Sequence, residues 1–346
     1  MIKEKLVLPM AEPLVRTYNH YAHICAMLSG KAEALPWIYS NFIQLFMNKD
    51  LTLWCWGDYY FPFPYETKCP SICPWIKESR VKRNYFDHNS ERLIEFIQKE
   101  INDDTYLYMY LNHYYLKLPE IGSENKCHDA LVYGIDCENK IMYVADVFKN
   151  GKYEKKEIPF EDFLNAFYHV DLKPDGDFMN NMIYEYKVKD HCSYEFNVAN
   201  IEYSIKQYYL SERPEYWSMY NQGNAPEICF GLDVYESLAR YLKDIYTKKE
   251  TMIEITHFFL LKEHKELMVK RFQYLCEIGV YRMEDMKEII DGYIDVMDRC
   301  QVILLRTIKY LVIPDVDYLK KAIDELQLNH SIEKQLLENY LNTIKL

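Results

Sequence analysis

A histidine and an aspartate on two consecutive strands carry the strongest chemical signal in this chain. Cys127-His128-Asp129-Ala130-Leu131-Val132-Tyr133-Gly134-Ile135 and Lys140-Ile141-Met142-Tyr143-Val144-Ala145-Asp146 read as short strands joined by a turn over Asp136 to Asn139. His128 opens the first strand and Asp146 closes the second, 18 positions later. In an antiparallel pair that spacing can bring an imidazole and a carboxylate side by side. The carboxylate then fixes the tautomer of the histidine and stabilises its charged form. A base so held needs a nucleophile, and the candidate upstream is Cys25. The same residues also fit a surface histidine and a turn aspartate on an ordinary hairpin.

The elements that must position these residues follow from periodicity. Before position 190, β-rich runs dominate: Thr105 to Leu111, Ala130 to Ile135, Ile141 to Val147, Tyr153 to Ile158 and Met182 to Val188. Turn residues such as Lys149-Asn150-Gly151-Lys152 separate them. Tyr21, Ile24, Cys25 and Leu28 share one face of a helix stopped by Gly30. Pro36 opens a second helix over Trp37 to Met47, and Ser90 caps a third that reaches Ile101. After Asp190 the pattern is helical: Gly231 to Tyr246, Met252 to Ile278 and Met283 to Val312, with mixed charges on the outer faces. Beyond Pro314 two shorter helices are expected, the last capped by Ser331. Asp190 to Val198 and Arg213 to Pro226 read as linkers. The expectation is an α+β domain over 1–190 followed by an all-helical domain over 191–346.

Bulk properties narrow the function. A net charge of −12, without a Lys/Arg cluster able to neutralise a run of phosphates, argues against nucleic acid as a partner. The 33 tyrosines and 16 phenylalanines suit clefts and interfaces. Ten cysteines lie scattered, with no secreted-domain framework. Met1 to Pro9 lacks the apolar core of a signal peptide, and no apolar run reaches the roughly 18 residues of a membrane span. A reduced, cytoplasmic protein is expected, not one of the membrane. Cys69 and Cys73 resemble half a zinc site with no second half. His20 and His23 could offer two ligands from one helix face, while His257 and His264, with Glu263, read as a polar patch or a domain contact. None completes a ligand set, so no metal and no cofactor are expected. Trp54-Cys55-Trp56 reads as core, or as the wall of an acyl-binding cleft.

A cysteine near the start of an early helix, then a histidine opening a strand and an acid on the next strand, is the order of papain-like proteins. The residues point further. Leu111-Asn112-His113-Tyr114-Tyr115-Leu116-Lys117-Leu118-Pro119, the His128 to Asp136 run, Tyr143-Val144-Ala145-Asp146 and Ile158-Pro159-Phe160-Glu161-Asp162-Phe163 follow one another. This succession resembles the N-terminal domain of the butirosin biosynthesis acyltransferase family. That family is similar in turn to bacteriocin-leader cysteine peptidases, and the amide-forming protein of closthioamide biosynthesis is another representative. The resemblance covers roughly residues 1–190. The tail around His257 to Lys265 resembles proteins associated with peptide-antibiotic gene clusters.

The resemblance implies a papain-like cysteine peptidase fold run toward amide synthesis in natural-product (antibiotic) biosynthesis. The donor would be an acyl thioester on the phosphopantetheine of an acyl carrier protein, and the acceptor a small amine. Cys25 would form the acyl-enzyme, His128 would deprotonate the amine, and Asp146 would orient His128. Asn19 would help hold the oxyanion beside the Cys25 backbone N–H. A second register sets Asn19-His20 where the family has an acidic or amide residue followed by cysteine, leaving Cys25 a small core residue. A helix starting near Ala22 favours the first register, and one starting at His20 the second. Two other functions are open: a cysteine peptidase acting on a small peptide or leader, and a non-catalytic binding protein of a peptide-antibiotic pathway.

Overall fold

The two strands around the histidine and aspartate pair as expected, as β6 (Cys127–Asp136) and β7 (Ile141–Lys149). In this computed structural model, residues 5–53, 55–60, 73–87, 89–119, 125–149, 152–172, 179–214, 227–248 and 253–344 are described. Cys69, Trp54, the turn residues Asn150 and Gly151, and all but the start of the linker Arg213 to Pro226 lie outside them. The fold is mixed α+β, with an antiparallel sheet and helices toward the C-terminus. Among the described residues, no helix is long and apolar enough to cross a membrane.

β4 (Ile76–Lys82), β5 (Thr105–Asn112), β8 (Lys152–Pro159) and β9 (Met182–Val188) join β6 and β7 in the order β4-β9-β5-β6-β7-β8. β1 (Lys5–Val7) pairs with the far end of β6, beyond the reach of β5. α1 (Asn19–Leu28) packs against β6 and β7. α3 (Ser90–Asn102) presents buried Leu93, Ile97 and Ile101 toward β5 and β6. Its cap is Asn89, whose side chain accepts from the Arg92 N–H, so Ser90 already sits inside the helix. α4 (Phe160–Tyr168) turns Phe163, Ala166 and Phe167 inward.

Gly134 sits at the crowded point where β1 meets β6. A Cβ there would stand 2.8 Å from the Leu6 carbonyl oxygen and 3.1 Å from the Val7 Cα. Both are backbone atoms that move only with the strand. Gly134→Val is therefore expected to lower stability by about 1–3 kcal/mol, the usual cost of overpacking. Thermal melting checks this, and an unchanged melting temperature would show that β1 can slide away.

The chain divides into two units, Met1–Leu35 with Glu66–Tyr194 and Pro36–Tyr65 with Glu195–Leu346. The last break between the units falls between Tyr194 and Glu195, and residues 36–65 belong to the second unit. The cause is pairing across a long stretch of sequence. β2 (Leu45–Asn48) lies between β3 (Gly57–Tyr59) and β10 (Ile228–Phe230), with Asn48 opposite Ile228. The expected helix to Met47 stops early, as α2 (Leu35–Ser40), because Phe42 adopts a left-handed backbone at φ 57°. Arg271 then satisfies the freed carbonyls, its Nε donating to Tyr39 O at 2.8 Å and its Nη2 to Asn41 O at 2.6 Å.

The rest of the second unit is helical: α5 (Val198–Tyr209), α6 (Val234–Lys248), α7 (Thr256–Glu277), α8 (Met283–Val312) and α9 (Val316–Thr343). α9 replaces the two short helices expected after Pro314; Ser331 lies within it and donates to Gln327 O, with no capping role. α7 departs furthest from expectation, since Glu263, His264, Lys265 and Arg271 all point inward. Lys265 and Glu333 are wholly buried, with Nζ 2.8 Å from both carboxylate oxygens. Tyr235 and Tyr293 donate to the same carboxylate at 2.8 and 3.1 Å, and Lys265 also donates to Tyr208 Oη at 2.7 Å. His264 donates to Ile43 O at 2.8 Å, so it is an interior bracket and no part of a surface patch.

Candidate functional site: a histidine–aspartate pair at the head of α1

The register of β6 and β7 explains why His128 and Asp146 meet. Leu131 pairs with Ala145, so Asp146 faces Ala130 and shares its sheet face with His128 one step further on. His128 Nδ1 donates to Asp146 Oδ1 at 2.7 Å. The short 3-10 turn that follows β5, His113–Leu116, supplies a residue that sequence reasoning missed. Asn112 pairs with Cys127, which places His113 diagonally beside His128, and His113 Nε2 donates to Asp146 Oδ2 at 2.8 Å. The Val147 N–H and Asn19 Nδ2 also reach the carboxylate, each at 2.5 Å.

Asn19 is the first residue of α1, and it braces this pair from the helix side. Its Oδ1 accepts from the Val147 N–H at 3.1 Å, and its Nδ2 donates to Asp129 O at 2.6 Å. The side chain is thus committed to β6 and β7, away from the oxyanion role the resemblance implied. Asp129 accepts from Tyr108 Oη at 3.0 Å. His23, one helical turn after Asn19, is fully buried with Nδ1 2.9 Å from Tyr153 Oη. His20 stands on the first turn with its ring 4.0 Å from that of Tyr21.

The start of α1 decides the register left open above. Tyr18 is the cap residue and the helix runs from Asn19, so Cys25 lies well inside it, fully buried. Its N–H is past the first four free donors of a helix, so neither the dipole nor an oxyanion contact acts on it there. The residue at the helix head that touches the histidine–aspartate pair is Asn19, and His20 follows it. Residues His128, Asp146 and Asn19 come together, and Cys25 does not join them as a thiol at a helix terminus.

Electrostatics make the pair an ion pair. Burial alone would push the Asp146 carboxyl up, but the His128 charge and the bonds from both histidines outweigh it and hold the group well below the usual range. Burial likewise disfavours a charged His128, yet Asp146 more than offsets this and raises the imidazole above its ordinary value. Asp129 is held low despite burial, foremost by the charge of His128, whereas burial pushes His23 down. His128 is partly exposed, and its Nε2 has no hydrogen-bond partner among the described residues.

His113, His128 and Asp146 could also hold a metal ion, their ligand atoms lying within 4.8 Å of one another. The contacts at 2.7 and 2.8 Å are hydrogen-bond lengths. Adjacent ligands around a tetrahedral zinc ion, each about 2.1 Å from it, stand about 3.4 Å apart. The donor atoms face each other and leave no centre open, so the set fits a proton-holding network better than a cage.

No protein-family model matches the chain, and no curated protein matches it.

Proposed function

We propose that the first unit is a papain-like acyl-transfer domain that forms an amide in natural-product biosynthesis. It takes the acyl group from a thioester on an acyl carrier protein and gives it to a small amine, in the cytoplasm. The observation carrying this reading is the His128–Asp146 pair at 2.7 Å, which orients the imidazole and leaves Nε2 for the substrate. The family resemblance supplies the substrate class. With Cys25 buried in mid-helix, the transfer is direct. The amine attacks the thioester carbonyl as His128 Nε2 takes its proton, the C–S bond breaks, and the imidazolium returns the proton to the leaving thiolate.

The test offers a phosphopantetheine-linked acyl thioester on a carrier protein together with a panel of amines. Amide formation without any acyl adduct on Cys25, retained in Cys25→Ala, supports direct transfer. An acyl adduct on Cys25 would restore the covalent route. Binding of the carrier with no turnover, unaffected by His128→Ala, would instead make the protein a binding module, a reading favoured by the absence of a thiol at the head of α1. Product release with no amine present would favour a peptidase.

The raised pKa of His128 fixes the sign of the pH dependence. The base must be neutral, so kcat/KM is expected to rise with pH and level off above the ordinary histidine range of about 6.5. His113→Ala, by removing a donor that competes for the Asp146 charge, is expected to move this inflection higher. A shift to lower pH would show that His113 does not act through the carboxylate.

A further inference from the structure

A second thiol–imidazole contact lies in the second unit, and the site above does not use it. Cys55 is exposed, and its Sγ stands 3.2 Å from Nε2 of His257 on the first turn of α7. Tyr241 Oη lies 3.9 Å from the same sulfur and is itself fixed by the Glu254 N–H at 2.9 Å. The other described cysteines are buried or half-buried. His257 is only 2% exposed, and its Nδ1 has no hydrogen-bond partner among the described residues. Gly57 lies beside this ring, where a Cβ would meet Met47 Cγ at 2.6 Å and His257 Nδ1 at an ordinary contact distance of 3.4 Å.

A buried ring nitrogen without a partner is destabilising, so a purely structural position would be better filled by an apolar side chain. The imidazole instead spends its accessible nitrogen on an exposed thiol. Burial pushes His257 down to about 4, and it pushes the Cys55 thiol up against the lowering bond from Tyr241. Both groups are neutral near pH 7, with the S–H donating to Nε2. The pair therefore makes its thiolate at the moment of attack, by general-base assistance.

We propose that Cys55, with His257 as its base, accepts acyl groups from thioesters. Sγ attacks the thioester carbonyl carbon while its proton passes to His257 Nε2. The donor's C–S bond breaks, and the leaving thiolate takes that proton back. The products are an S-acyl Cys55 and a free thiol, with no change of oxidation state. Thioesters fit because the leaving thiolate is about as basic as the attacking one, so a proton relay is sufficient. An amide would need a much poorer leaving group to be protonated and expelled.

The full chain is treated with S-acetyl-N-acetylcysteamine, and acetylation of each cysteine is followed by peptide mass mapping. Cys55 is expected to react about tenfold faster than Cys137, Cys192 or Cys276, less than a base tuned to neutral pH supplies, because burial makes His257 a weak base. In urea this preference collapses, which reads out the folded pair without any variant. His257→Gln, checked for folding by its melting curve, is expected to lower Cys55 to the rate of the other cysteines. Equal labelling of all four cysteines in the folded protein overturns the proposal, as does a folded His257→Gln that labels at the unmodified rate. Cys55 labelling is expected to persist in His128→Ala, so this result stands or falls apart from the amide-forming reading.

Discussion

His128→Ala is expected to slow amide formation from a carrier-bound thioester by about 10²–10⁴-fold, the range for loss of a positioned general base. The effect falls on kcat, because Nε2 takes its proton only as the C–N bond forms, while carrier and amine are held by other groups. This variant is cleaner than Asp146→Asn. The His128 side chain is 23% exposed, and its removal leaves Asp146 still bonded to His113, Asn19 and the Val147 N–H. Asp146→Asn would confront those donors with an amide that cannot accept from all of them, mixing lost stability with lost activity. Single-turnover kinetics measure the chemical step directly. A His128→Ala rate within threefold of the unmodified protein would remove the histidine from the chemistry and sink the general-base mechanism.

Glu333→Gln is expected to cost about 3–5 kcal/mol, because it leaves the Lys265 ammonium buried without its counter-charge. For a protein of 346 residues that is roughly 4–7 °C in melting temperature. The double variant Lys265→Met with Glu333→Leu is the informative control. Replacing a buried ion pair by apolar residues of similar volume is often neutral. Here Tyr235 and Tyr293 also donate to Glu333, and Lys265 donates to Tyr208, so the double variant strands hydroxyls in a dry core. It should therefore remain destabilised, and a melting temperature at or above that of the unmodified protein would show that the tyrosines find other partners. The acyl transfer proposed for the first unit, if unchanged in rate, is the independent check that only stability has changed.

The hairpin, the strands β5 to β9, α3 and the long helix to Val312 were legible because each announces itself locally, by alternation or by helical spacing, whereas β1 and β4 do not. The His128–Asp146 pair was legible for the same reason: one short turn fixes which residues share a face. His113 was not, because its place beside His128 depends on the register of β5 against β6, and register is set by the whole sheet. Cys25 misled because its type suggested chemistry while its helix began at Asn19, and an apolar face does not say where a helix starts. α7 misled in another way. Its charges alternate like those of a surface helix, and only the tyrosines and Glu333 from other helices reveal that several are interior. Cys55 and His257 sit far apart in sequence, with no local pattern to join them.

The placement of residues 36–65 in the second unit also sets a schedule for synthesis. β2 cannot gain its β10 partner until Ile228–Phe230 has left the ribosome, well over a hundred residues later. At about 5–20 residues per second the wait is roughly ten to forty seconds, long enough for the first unit to collapse around its own sheet. During that interval Leu45–Asn48, buried along its whole length in the finished protein, has one apolar edge open. A chain ended near 190 would keep that edge exposed permanently. The nascent protein thus passes through a stage in which a strand buried in the finished fold has one edge without its ladder partner.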